Sequence, residues 1–232
     1  MLTPKQILYE NPNMVFDEVL NPKVEKAAMK ILPFSTGFEI ETDIPEKERT
    51  RADVYFNTIQ NIMATPHVSS SELRFRIPAG LAGLRCLHSI SVGLNRFAAI
   101  NYENGIHYHI DFTQYYDLLT DECIDEVKSW VLSELDTWKY AGVYNKRDMA
   151  RHRCWVRVHE TYHTLEFRIG ECTFDYSLML KRIEHCNFIT TVIIDHITKK
   201  FKYPFIKRHS AIQARPVDPN KVISSRIIDL YA

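Results

Sequence analysis

From Asn104 to Phe112 the chain reads NGIHYHIDF. Side chains alternate across a strand with a period of two, so Ile106, Tyr108, Ile110 and Phe112 share one face. His107, His109 and Asp111 share the other. The apolar set predicts a strand resting on a core; the polar set gathers two imidazoles and a carboxylate behind it. Three more segments read the same way. TGFEIET (Thr36–Thr42) sets Phe38 and Ile40 against Glu39 and Glu41. ELRFRI (Glu72–Ile77) sets Leu73, Phe75 and Ile77 against Glu72, Arg74 and Arg76. TLEFRI (Thr164–Ile169) sets Leu165, Phe167 and Ile169 against Glu166 and Arg168. CWVRV (Cys154–Val158) is a fifth strand, with Arg153, Arg157 and His159 alternating nearby, and Glu160–His163 has the length of a hairpin connection.

Three helical patterns flank these strands. Leu81, Leu84, Leu87, Ile90, Leu94 and Phe97 recur at three or four residues, which is one helical face. Residues 120–140 begin with Thr120 as N-cap and carry Cys123, Val127, Trp130, Val131, Leu135 and Trp138 as a stripe, with Gly142 as a stop. From Asp175 to Lys200, Leu178, Ile183, Phe188, Ile189, Val192 and Ile193 mark a third helix. Residues 1–33 carry four prolines and read as an irregular arm with one short helix near Asn21–Lys30. Residues 34–203 form the main domain. Residues 204–232 form a tail that packs on it, with a last short helix at Ser225–Tyr231. The mixed order of elements predicts an α+β fold, an antiparallel sheet with helices on one face.

The composition narrows the function. With 232 residues, 29 Lys+Arg against 29 Asp+Glu and 45% hydrophobic residues, the chain is an ordinary globular one of zero formal charge. Balanced charge argues against a dedicated nucleic-acid or acidic-membrane binder. No apolar leader and no run of about 18 apolar residues is found, which predicts neither export nor a membrane span. The five cysteines are odd in number and lack CxxC spacing, so they predict neither a disulfide framework nor a zinc knuckle, and fit a reducing cytoplasm.

The polar strand faces carry the chemistry. An outer sheet face is usually just solvated, but here it holds acids, imidazoles and arginines without a lysine. If the strands are neighbours, at least three carboxylates lie close together, repelling by several kcal/mol at an effective dielectric near 20. Arginines or bound cations must neutralise them. Carboxylates with a histidine suit a divalent cation such as Mg²⁺, and the arginine fork suits phosphate oxygens.

Taken in order, GFEIE (Gly37–Glu41), SSELRF (Ser70–Phe75), NGIHYHIDF and TLEFRI with ECTFD (Glu171–Asp175) resemble the amidoligase family, often encoded by phages or in bacterial gene clusters. That family is similar to the catalytic domains of glutamine synthetase and glutamate–cysteine ligase, and the likeness spans roughly residues 35–200. The resemblance implies a glutamine synthetase/guanido kinase-like catalytic domain. It also implies an ATP-dependent carboxylate–amine ligase with two or more Mg²⁺ ions (or Mn²⁺) and an acyl-phosphate intermediate. It implies Glu39, Glu41, Glu72, His107 and Glu166 as metal ligands, and His109, Arg168, Arg74 and Arg76 on the nucleotide side. Glu166, Arg168 and Glu39 then form the catalytic group. Arg147, Arg151 and Arg153 in NKRDMARHR are candidates for the phosphate or the substrate carboxylate, and a solvated basic loop is the plainer reading. The substrates are small-molecule or peptide carboxylates and amines, with neither nucleic acid nor membrane as partner, in the cytoplasm of a bacterium or a phage-infected host.

Two rival readings stand beside it. His107, His109 and Asp111 form a two-His, one-carboxylate set that can hold zinc or iron in a hydrolase or oxygenase, although alternate residues of one strand are about 6–7 Å apart. The other rival is a non-catalytic phage accessory protein of the same fold. A shared polar face also predicts that Glu166→Ala or Arg168→Ala abolishes nucleotide turnover and leaves the fold intact.

Overall fold

Strand β1 (Thr36–Glu41) lies between β3 (Glu72–Ile77) and β4 (Ile106–Asp111) and is antiparallel to both. Beyond β3 comes β2 (His67–Val68); beyond β4 come β6 (Thr164–Phe167) and then β5 (Val156–His159). The sheet thus has six antiparallel strands in the order β2-β3-β1-β4-β6-β5. The computed structural model describes residues 2–14, 21–60, 67–68, 72–100, 104–119, 156–168 and 171–200. The expected helix at 120–140, Arg147, Arg151, Arg153 and the tail from 204 onward lie outside the described residues.

The period-two reading holds along the central strands. Phe38 stands opposite Phe75 and Tyr108, and Tyr108 opposite Phe167, all buried on one face. Phe38 and Tyr108 meet edge to face with ring centroids 5.7 Å apart. Burying a side chain of this size stabilises by about 1.5–3 kcal/mol relative to exposure, so this aromatic row fixes the register as well as the layer. A one-residue slip would turn it to the polar side.

Helices cover that apolar face. α4 (Gly80–Phe97) packs on β3, and its Leu81, Leu84, Leu87, Ile90, Leu94 and Phe97 are all buried. α5 (Tyr176–Lys200) begins at Asp175, whose carboxylate accepts from the Leu178 N–H at 2.7 Å. Its buried stripe is Met179, Leu180, Ile183, Cys186, Ile189 and Ile193, while Leu178, expected in the core, is exposed. α3 (Arg49–Gln60), absent from the sequence reading, sends Phe56 against Phe75 with ring centroids 5.2 Å apart.

The N-terminal residues are more ordered than an irregular arm. α1 (Pro4–Glu10) starts with a capping box: the Thr3 hydroxyl accepts from Gln6 N at 3.2 Å, and Gln6 Oε1 accepts from Thr3 N at 2.8 Å. Pro4 sits in the first turn, where its missing N–H is not needed. α2 (Asn21–Ile31) then packs on α4 through buried Val24, Ala28 and Ile31. Gly83 permits this approach. A Cβ there would lie 1.9 Å from Pro78 O and 2.6 Å from Leu32 Cδ2.

Met1–Ile197 form one compact unit; of a second, Thr198–Ala232, the described residues are the end of α5. Among the described residues no helix is long and apolar enough to cross a membrane.

Candidate functional site

The strand order makes the four polar faces neighbours. Across one row, Arg74 on β3 stands opposite Glu39 on β1, and Glu39 opposite His107 on β4. Across the next, Arg76, Gly37, His109, Glu166 and Arg157 follow one another from β3 to β5. Glu41 and Glu72 form a further pair toward one end, and Asp111, Thr164 and His159 a row toward the other.

This face is not a solvated sheet surface. His107 and His109 are each 7% exposed and Glu166 is 0% exposed, whereas the Arg74 and Arg76 side chains at the edge are 45% and 67% exposed. Buried charges require partners, and the arginines supply them. Glu166 accepts from Arg157 Nε through Oε2 and from Arg168 Nε through Oε1, the latter at 2.6 Å. Burial alone would raise the Glu166 pKa, but the surrounding His109, Arg168 and Arg157 outweigh it and hold the carboxyl below its usual range.

Glu39 is held in the same way by different groups. Its Oε2 lies 3.3 Å from His107 Nδ1 and 3.7 Å from His109 Nε2, and its Oε1 lies 3.4 Å from Arg74 Nε. The close approach of His107 and His109, opposed by burial and aided by Arg74, holds its carboxyl well below the carboxylate range. Arg74 also reaches Glu72 Oε1 at 2.6 Å.

The two carboxylates converge on one imidazole. His107 Nδ1 lies 3.3 Å from Glu39 Oε2 and 3.8 Å from Glu166 Oε1, and one ligand atom from each of the three residues falls within 4.8 Å of the others. At that separation two carboxylates repel by about 3–4 kcal/mol at an effective dielectric of 20, so a cation between them is favoured. Around a cation with bonds of about 2.1 Å, neighbouring donors sit about 3.0–3.4 Å apart. The 3.3 Å between His107 and Glu39 matches this, and the spread across the whole set, within 4.8 Å, is wider. Glu39, His107 and Glu166 therefore fit a divalent cation. The fit has one competitor, because Glu166 Oε1 already accepts from Arg168.

Gly37 shapes the centre of the face. Any side chain here would project between Arg76 and His109, and even a Cβ would lie 3.2 Å from His109 Cβ. The buried His109 ring uses that room. Its Nδ1 lies 3.2 Å from Thr164 Oγ1, and its Nε2, 3.7 Å from Glu39 Oε2, has no hydrogen-bond partner among the described residues. His159 and Tyr162, stacked at 4.4 Å, pack near the His109 ring.

The sequence-predicted residues divide three ways. Glu39, His107, His109, Glu166, Arg168 and Arg74 come together. Glu41 and Glu72 lie on the same face but outside the triad, and Glu41 Oε2 accepts from Gly105 N at 2.8 Å. Arg76 lies at the periphery with Ser35 and Asp111. Asp111 itself accepts from Thr113 N at 3.1 Å and Thr113 Oγ1 at 2.8 Å, and its other oxygen faces Arg76 Nη2 at 3.6 Å. It caps the 3-10 turn Thr113–Leu118, so His107, His109 and Asp111 do not converge as a ligand set.

Sequence reasoning missed Arg157, Thr164 and Gly37 as parts of the site. Strand β5 runs one residue beyond the expected Val158, to His159, and Glu160–His163 is the turn that pairs Arg157 with Glu166. The alternation of Arg157 with His159 was the available signal. No protein-family model matches the chain, and it matches no curated protein.

Proposed function

We propose that the chain is an ADP-forming carboxylate–amine ligase built on a glutamine synthetase-like catalytic domain. The observation that supports this reading best is the convergence of Glu39, His107 and Glu166 within 4.8 Å on a buried face that also carries arginines. In the reaction a substrate carboxylate takes the terminal phosphoryl group of ATP, giving an acyl phosphate and ADP. An amine then attacks the acyl carbon, the C–O bond to phosphate breaks, and the amide, inorganic phosphate and a proton leave.

Each residue has a task in that scheme. Glu39, His107 and Glu166 would hold Mg²⁺, with Glu41 and Glu72 beside them for a further ion. The ions, when bound, neutralise phosphate oxygens and hold attacking and leaving oxygens in line. Arg168 turns from Glu166 Oε1 toward the transferring phosphoryl group, where a fixed cation favours developing negative charge. His109 turns its Nε2, 3.7 Å from Glu39 Oε2 and outside hydrogen-bond distance, to a phosphate oxygen, and Arg74 and Arg76 line the outer approach. The burial of the centre keeps water from an acyl phosphate. We place the reaction in the cytoplasm, where ATP is plentiful.

The test does not require the substrates. Thermal unfolding is followed with ATP–Mg²⁺, ADP–Mg²⁺, Mg²⁺ alone, Zn²⁺ and EDTA, for the wild type and Glu39→Gln. A ligand at 100 times its Kd adds about 2.7 kcal/mol. Stabilisation by ATP–Mg²⁺ that Glu39→Gln loses is expected, and carboxylate–amine pairs are then screened for ADP release. Loss of stability in EDTA restored by Zn²⁺ alone would replace the ligase with a zinc enzyme. No response to any addition would leave a non-catalytic protein.

A further inference from the structure

The side chain most at odds with its surroundings lies on the other side of the sheet. Arg182 of α5 is only 7% exposed, yet among the described residues no carboxylate lies within ion-pairing distance of it. Its Nη1 donates to Glu171 O at 2.5 Å, and its buried Nε meets no hydrogen-bond partner among the described residues. The groups nearby are the Tyr108 phenol and the thiols of Cys172 and Cys186. Burial keeps all three neutral, pushing Cys172 up to about 12. A guanidinium buried among neutral groups is held at a heavy free-energy penalty, so its bond to the Glu171 carbonyl is informative.

That contact falls where the chain after β6 returns to the start of β4. Glu171 and Gly105 form an isolated antiparallel bridge, and Cys172 N donates to Asn104 O at 3.1 Å. Gly105 in turn grips Glu41 from both sides of its peptide. Its N–H donates to Glu41 Oε2 at 2.8 Å, and its carbonyl accepts from Glu41 N at 3.0 Å. The path therefore runs from the helix layer to the polar face through two peptide groups: Arg182 to the Glu171 carbonyl, the Cys172 N–H of that peptide to Asn104 O, and the Gly105 N–H of the next to the Glu41 carboxylate. Cys172 feels Arg182 and Glu41 with opposite sign, so the cation and the carboxylate act on the same small region.

We infer that Arg182 is a positioning residue for Glu41: it fixes the Glu171–Gly105 bridge, and the bridge fixes the orientation of the Glu41 carboxylate on the cation-binding face. The inference rests on the reading of that face as a divalent-cation site. A guanidinium suits the task because it reaches the carbonyl with a charged N–H on a rigid plane and stays charged when buried.

Two measurements test it on the full chain. The first is Mn²⁺ binding, read by the loss of the free-ion EPR signal, in wild type, Arg182→Met, Glu41→Gln and the double variant. Arg182→Met should weaken binding about tenfold, and the double variant should bind no more weakly than Glu41→Gln alone. Losses that multiply would mean the two residues act independently and would overturn the inference. The second is the Gly105 amide in a ¹⁵N spectrum without metal, with its hydrogen-exchange protection. Both Glu41→Gln and Arg182→Met should move that resonance and lower its protection. An unmoved Gly105 amide in Arg182→Met overturns the inference. If wild type binds no Mn²⁺, the cation reading of the face fails and the amide measurement alone decides the positioning role. Should Arg182→Met not fold, Arg182→Gln, which removes the charge and shortens the reach to the Glu171 carbonyl, is read in the same two assays with the same outcomes.

Discussion

Replacing Glu166 with glutamine tests whether the polar face is held by charge. The side chain is 0% exposed and lies between Arg157 and Arg168, with His107 Nδ1 at 3.8 Å. Glutamine keeps the shape but removes the charge and points an NH₂ at one of the two guanidiniums. Removing one partner of a buried pair costs about 3–5 kcal/mol. Arg157 and Arg168 are 31% and 18% exposed, so water relieves part of this, and a loss of about 2–4 kcal/mol is expected. In a chain of this length that lowers the melting temperature by about 5–15 °C. Glu166→Gln with Arg157→Met should recover part of the loss, because one orphaned cation is gone. The pH dependence has a definite sign. The folded pKa of Glu166 is depressed, so its contribution is complete above the ordinary carboxylate range and fades as pH falls toward the folded value. The difference between wild type and Glu166→Gln must therefore shrink in acid. Scanning calorimetry and urea titration from pH 7 to 3 measure both effects. A Glu166→Gln melting temperature within about 2 °C of wild type at pH 7, worth less than ~1 kcal/mol, would refute the reasoning.

Gly83→Ala should be among the most damaging single-methyl additions, since its Cβ would lie 1.9 Å from the Pro78 backbone oxygen, which no rotamer change can relieve. A loss of about 3 kcal/mol or more is expected, read as a lower urea midpoint at unchanged slope. Buried His185, whose pKa burial pushes down to about 4, is neutral in the fold, so the unfolded chain gains a proton first as pH falls. Stability attributable to it should decline between pH 6.5 and 4, by about 3 kcal/mol in total, and His185→Gln should flatten that slope. Gly37→Ala should leave the melting temperature within a few degrees but weaken Mn²⁺ binding severalfold, because the added Cβ at 3.2 Å pushes His109 toward Glu39. Unchanged Mn²⁺ affinity would show that His109 has room to spare.

The sequence shows strand faces more readily than strand neighbours. Alternation in NGIHYHIDF and ELRFRI assigns each side chain to a face, and the structure places those faces as expected. What alternation lacks is depth. Nothing in the spacing of Glu166 says that its face is closed to water, so Glu166→Ala reads from sequence as a variant with an intact fold. The 0% exposure says otherwise. Asp111 shows the same limit at a strand end, where parity groups it with His107 and His109 but the following Thr113 draws its carboxylate into a turn. α3 was hard to read because it has only three core contacts, Ala52, Phe56 and Ile59, separated by Asp53, Val54, Tyr55, Asn57 and Thr58, all of weaker helix propensity. Arg157 was within reach, since counting back through the turn at Glu160–His163 pairs it with Glu166.

The strand order also has a consequence for how the chain acquires its fold. β4 is central to the finished sheet, but its partner β6 follows only after the residues between Asp111 and Thr164. At 5–20 residues per second, ribosomal synthesis through Phe167 takes about 3–11 s after Asp111 emerges. Over that interval β4 can pair with β1 but presents its other side as a raw edge, with Ile106, Tyr108 and Ile110 beside unpaired backbone groups. Such an edge is a template for pairing with another chain. Long-range pairing of this kind is also slow, so the lifetime of this half-sheet, more than its final stability, sets how much nascent chain reaches the native state.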